Sequence, residues 1–225
     1  MIKLDLQMFG GRGASSSSGG SRGGATGGLN PGNIVSTTSL TSAREGKEAE
    51  VDQVLTVARD IYNDFGVEVN DLQIATLKGA GKSTLAYYDA GGNLAYNKAY
   101  FNAKTMDKAY DSNVEAGFHP SRGNKTGIEA VVAHEMGHAL TDEIAKKKGY
   151  GDWQLDRAST DIVKQAAKNS GYGNKTKQFI SKISGYAETS HAEALAEAFA
   201  DVYCNGNKAR KESTAIVNEM KTYFK

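Results

Sequence analysis

The chain has 225 residues, room for one ordinary domain or for one domain with a tail. Its 27 basic and 26 acidic side chains leave a net charge of +1, so no electrostatic footprint marks a nucleic acid or an anionic membrane as partner. No apolar run approaches the roughly 18 residues of a membrane span, and a single cysteine, Cys204, excludes an internal disulfide framework or a site built from several thiolates.

The apolar residues at the start (Ile2, Leu4, Leu6, Met8 and Phe9) are interrupted by Lys3 and Asp5, so a secretory signal is not expected. A soluble protein of a reducing compartment is the starting expectation, with histidines and carboxylates as the available metal ligands. Residues 10–33 hold 10 of the 26 glycines and five serines. Such a stretch cannot repay its ordering entropy by burial and reads as a flexible tether. The residues ahead of it read either as a disordered terminus or as a short docking tag on that tether. The division expected is a tag and Gly/Ser-rich linker over 1–40 and one domain over 41–225.

Organised structure is expected from near Thr41. Val51, Val54, Leu55, Ala58, Ile61, Tyr62 and Phe65 follow helical spacing, and Gly66 supplies a stop. Residues 67–77, 83–89 and 93–101 are β-branched and aromatic, and the Ala90-Gly91-Gly92 turn joins the last two as a hairpin. A loop is expected over 102–125, then helices at 126–147, 153–169, 175–183, 190–204 and 208–224. Strands followed by helices, without regular alternation, predict an α+β domain with a small, mostly antiparallel sheet. Lys78 to Thr84 ends like a phosphate-binding loop. That motif needs a glycine where Thr76 stands, and the dinucleotide version needs one where Thr84 stands, so the segment reads as a glycine-rich turn.

One segment carries sharp chemistry: His134-Glu135-Met136-Gly137-His138. Positions i and i+4 lie one turn apart on a helix face, so both imidazoles can reach one ion, and Glu135 projects beside it as a proton acceptor. Thr126 and Glu129 have capping-box spacing at the helix start. Half of the four histidines sit in this motif. Gly137 costs about 1 kcal/mol against alanine inside a helix, which suggests that another backbone approaches there.

A catalytic zinc site takes three protein ligands and keeps a fourth position open, so a further ligand is expected downstream. His138 is followed by Ala139 to Ile144, without the glycine and histidine of a metzincin. Cys204 reads more simply as a small buried residue. The acidic helix from Ser190 to Asp201 offers two frames: Glu193 as ligand with Glu197 supporting a ligand histidine, or Glu197 as ligand with Asp201 in support. Ser190 and Glu193 also have capping-box spacing.

Three blocks, HEMGHAL (134–140), GYAETSHAE (185–193) and EALAEAF (193–199), resemble the catalytic domain of the anthrax-lethal-factor type of zinc metallopeptidase, whose wider clan includes the Pro-Pro endopeptidases. The family pattern places a tyrosine seven residues before the liganding glutamate and another glutamate four residues after it; Tyr186, Glu193 and Glu197 stand in those places. The resemblance implies a zincin-like fold, His134, His138 and Glu193 as Zn2+ ligands, Glu135 as base, Tyr186 as donor to the developing oxyanion, and Glu197 supporting a ligand histidine. It covers 126–225, and more loosely the chain from residue 50. The toxin's large companion domains have no counterpart, so its substrate does not carry over.

The leader MIKLDLQMFGGRGASSSSGG is similar to that of head-associated or minor-capsid proteins from phages and prophages of Gram-positive bacteria. The two resemblances together imply a phage- or prophage-encoded zinc endopeptidase, virion-associated or in the host bacterial cytoplasm. Its substrate would be a protein or peptide, and the tag would contact phage head proteins. Two alternatives stay open: a head-associated structural protein with this fold and no proteolytic role, and a secreted or injected toxin-like effector.

Overall fold

The computed structural model describes residues 31–89, 92–151 and 155–225. The expected tag and most of the linker lie outside the described residues, as does part of the hairpin turn. Four strands, β1 (Ile34–Ser39), β2 (Asp71–Leu77), β3 (Ala86–Tyr88) and β4 (Asn93–Asn97), accompany seven helices: α1 (Glu48–Phe65), α2 (Ala103–Glu115), α3 (Gly127–Lys147), α4 (Leu155–Asn169), α5 (Thr176–Ile180), α6 (His191–Asn205) and α7 (Lys211–Lys221). The class is α+β, as composition and element order predict.

The sheet is mixed, in the order β1-β2-β4-β3. β1 pairs antiparallel with β2 and β3 antiparallel with β4, but β2 and β4 run parallel. The parallel pair arises because the chain leaves β2, forms β3 on the outside, and returns through the hairpin between the two. Ile74, Leu94, Tyr96, Ala86 and Tyr88 belong to the main core, and β3 packs on α3.

Several expectations shift. β1 precedes Thr41; its sequence, Ile-Val-Ser-Thr-Thr-Ser, is mostly exposed and carries no apolar alternation to betray it. α2 fills most of the segment expected to be a loop. It starts at Asn102, whose side chain accepts from the Thr105 N–H, and it buries only Met106, Ala109, Tyr110 and Asn113. In α1 the buried stripe runs through Val51, Val54, Val57 and Ile61, while Tyr62 is exposed. Gly66 ends α1 in the left-handed conformation, with φ 67°, where glycine meets no Cβ penalty. The helix expected over 175–183 is shorter, closing at Ile180.

α3 lies at the centre and is buried on nearly every side; helices α1, α2, α4 and α6 all pack against it. A helix in that position needs no polar stripe. Thr126 caps it with the full reciprocal box, accepting from the Glu129 N–H while the Glu129 carboxylate accepts from the Thr126 N–H. The Asp107 carboxylate of α2 also accepts from the Gly127 N–H at 2.6 Å.

Gly137 explains how closely α3 and α6 approach. A Cβ built there would lie 2.8 Å from the Ala196 Cα, a backbone atom that cannot swing aside. Alanine at 137 would gain about 1 kcal/mol in helix propensity but must push the helices apart, an overpacking cost of about 1–3 kcal/mol. Gly137→Ala is therefore expected to lower the thermal midpoint by a few degrees, as read by circular dichroism. A variant melting at or above wild type would show that the two helices can separate freely.

Candidate metal centre

α3 delivers His134, Glu135 and His138 from its middle turns, and α6 delivers Glu193 and Glu197 from its first two turns. All five are buried. Ser190 starts α6, its hydroxyl accepting from the Glu193 N–H at 3.1 Å. The capping spacing and the inward placement of Glu193 therefore coexist, since the backbone serves the cap and the carboxylate faces the histidines.

His134 Nε2 and His138 Nε2 are 3.2 Å apart. Glu193 Oε2 lies 3.2 Å from the first and 3.4 Å from the second. Two ligand atoms of a tetrahedral zinc, each about 2.0–2.1 Å from the ion, are separated by about 3.3–3.4 Å. The three atoms thus stand at the edge lengths of one tetrahedral face. Glu193 Oε2 has no hydrogen-bond partner among the described protein groups, so a cation would satisfy an atom that the protein leaves bare. His134, His138 and Glu193 form the single His/Cys/Asp/Glu group of metal-binding geometry among the described residues. Nitrogen and oxygen donors in this number suit zinc.

Behind His134, Glu197 Oε1 accepts from Nδ1 at 2.8 Å. This bond fixes the tautomer and leaves the Nε2 lone pair for a metal. Of the two frames open in the sequence, the geometry favours Glu193 against the histidines and Glu197 behind one of them. Asp201 is engaged elsewhere, accepting from the Asn205 side chain, the Arg210 N–H and the Ser213 hydroxyl at the junction of α6 and α7. Glu197 is no exposed helix charge. Cys204 is buried, and burial pushes its thiol up to about 12, which disfavours a thiolate ligand.

Tyr186 is buried beside His134, its ring nearly parallel to the imidazole at 5.9 Å between centroids. Its N–H donates to the Phe118 carbonyl and the Gly185 N–H to the Gly117 carbonyl. Glu135 is fully buried, and among the described residues its carboxylate has no side-chain donor, only the Tyr88 backbone N–H favouring its ionised form. Burial, opposed by the charge of His134, pushes its carboxyl up to about 8.

Proton placement balances these buried charges. Burial alone would strip His134 of its proton, but the carboxylates of Glu193 and Glu197 outweigh it and raise the imidazole to about 10. Burial would likewise raise Glu193, and the facing imidazoles of His138 and His134 hold it low instead. His138 is pushed down, chiefly by burial. A metal entering the site competes for the lone pairs that hold that proton.

One further residue was invisible in the sequence. His119 follows α2 in the segment read as a loop, and its Nδ1 donates to Glu197 Oε1 at 3.0 Å. No fixed spacing links it to the helical motif; being one of only four histidines was the sole available signal.

Metal dependence is directly testable by calorimetry. At free zinc of 100 times Kd, mass action adds about 2.7 kcal/mol, equivalent to about 5–10 °C in Tm for a chain of this size. Chelator should reverse the shift, and Glu193→Gln or His138→Ala should abolish it; identical melting with and without zinc in the wild-type protein would exclude the site. No family model, curated protein or solved structure significantly matches this chain, so the chemistry of these side chains is what bears on its activity.

Proposed function

We propose that the protein is a zinc-dependent endopeptidase of zincin-like fold, with His134, His138 and Glu193 as metal ligands, Glu135 as general base and Tyr186 as oxyanion donor. The observation that carries the reading is the buried carboxylate of Glu135, without a side-chain donor among the described residues, beside three ligand atoms at tetrahedral spacing. A metal held only for stability needs no such neighbour.

Zinc, when bound, supplies a Lewis acid that polarises a carbonyl and acidifies water. Glu135 takes the proton of the attacking water and passes it to the leaving amine. Its dry surroundings keep the carboxyl poised near neutrality, where both transfers are feasible, and a neighbouring dication favours the ionised form that accepts the first proton. The Tyr186 hydroxyl donates to the oxyanion as the carbonyl becomes tetrahedral.

β3 lies at the end of the sheet, but its three residues are buried. The Asp89 N–H bonds the Asn93 carbonyl and the Asn97 N–H bonds the Leu85 carbonyl. Ladder alternation then turns the main-chain groups of Ala86 and Tyr88 away from β4, into protein rather than solvent. The leader's resemblance supports a phage- or prophage-encoded enzyme acting on protein substrates in the virion or the host bacterium. Mass spectrometry of purified particles against culture supernatant separates that setting from a secreted toxin-like effector.

Peptide-library cleavage with and without chelator tests the activity. Glu135→Gln should keep its zinc and lose about 10²–10⁴-fold in kcat. Tyr186→Phe should keep its zinc and lose about 10²–10³-fold. Full turnover in Glu135→Gln would remove the base from the mechanism, and chelator-resistant cleavage would remove the metal. Metal-loaded wild-type protein that cleaves nothing would leave the structural head-protein alternative in its place.

A further inference from the structure

The Glu197 carboxylate receives three donors from three parts of the chain. His134 Nδ1 of α3 reaches Oε1 at 2.8 Å, His119 Nδ1 reaches the same oxygen at 3.0 Å, and the Ser184 hydroxyl reaches Oε2 at 2.7 Å. His119 is buried. It lies flat on Tyr110, with 5.3 Å between centroids and 13° between planes, and meets the rings of Phe118 and Tyr186 edge-on. Its Nε2 has no hydrogen-bond partner among the described protein groups.

A phenylalanine would fill that aromatic box without burying an unpaired nitrogen, which costs stability. What the imidazole adds is one N–H aimed at Glu197. A carboxylate bound by His134 and Ser184 alone could turn about its axis and exchange oxygens. A second donor on Oε1 holds the lone pair toward His134 Nδ1, which keeps the proton there and the metal-facing Nε2 bare. The same short segment governs Tyr186, because the carbonyls of Gly117 and Phe118 receive the N–H groups of Gly185 and Tyr186. Ser184 closes the circuit, its oxygen accepting from the Ala187 N–H.

We infer that His119 is a positioning residue of the metal centre: through Glu197 it fixes the ligand form of His134, and its backbone neighbours set Tyr186 beside that ligand. The inference rests on the metal-dependent reading of the site.

Zinc affinity by chelator competition tests it, with His119 replaced by asparagine, glutamine and phenylalanine. Asparagine can place an amide N–H where Nδ1 stands, whereas glutamine places it nearer Nε2, away from Glu197. His119→Phe and His119→Gln should weaken zinc about 10–100-fold, the usual consequence of losing the partner of a ligand histidine, and His119→Asn should stay close to wild type. In a Glu197→Gln background, His119→Phe should cause no further loss, because the two act through one bond. Equal zinc affinity in all three single variants, or equal losses with and without Glu197, would assign His119 to packing alone and overturn the inference. Wild-type protein that binds no zinc would overturn the metal reading and this inference together, whereas tight wild-type binding with unchanged His119→Phe overturns the inference alone.

Discussion

The close approach of α3 and α6 sets everything else at the site. At Gly137 the two backbones come near enough that a single methyl group would collide with Ala196. Only then can carboxylates on the first two turns of α6 reach imidazoles on α3, because a glutamate side chain spans only a few ångströms. The alanines of α6 at 192, 194, 196, 198 and 200 serve the same end. Ala196 keeps the helix thin where Gly137 meets it, and the set gives helix propensity without bulk. The helix caps then fix the rotation of each helix about its axis: Thr126 with Glu129 on α3, Ser190 on α6.

That approach concentrates charge where water does not reach. Glu135, Glu193 and Glu197 are all buried within a few turns of one another, and a carboxylate buried without a partner is costly. The chain resolves the problem unequally. Glu197 has three donors and is held well below the usual carboxylate range despite its burial. Glu193 has two imidazoles at ion-pair distance but no hydrogen bond on Oε2. Glu135 has no side-chain donor on either oxygen among the described residues. The gradient runs from a carboxylate built to stay fixed, through one suited to a metal, to one suited to gaining and losing a proton.

The sequence made helices with a strong local signature legible. Thr126 with Glu129 and Ser190 with its apolar run marked the starts of α3 and α6, and Gly66 the end of α1. The residues of the motif were equally plain, because spacing on a helix determines which side chains share a face. What escaped was long-range. β1 is recognisable only through its partner β2, since its own side chains are polar and exposed. α2 buries four residues and looks like a loop by composition. The parallel register of β2 against β4 depends on how the hairpin folds back between strands, which no local pattern encodes. His119 reaches Glu197 across 78 positions, so its role becomes visible only when the backbone brings the two together. The choice between Glu193 and Glu197 as ligand was open for the same reason, and the α6–α7 junction, by engaging Asp201, favours the frame with Glu197 in support.

The polar groups of the site satisfy one another only in part. The carboxylates of Glu193 and Glu197 favour the protonated form of His134, burial favours neutral His138, and burial pushes Glu135 toward protonation. Two imidazole nitrogens at 3.2 Å can share one hydrogen but otherwise oppose lone pair to lone pair. A dication at the face they form with Glu193 would relieve that opposition, engage Glu193 Oε2 and lower the cost of ionising Glu135, all at one point in space. An apolar core of the same volume would need none of these compensations. The arrangement is therefore hard to account for by packing, and its several strained polar groups share one remedy.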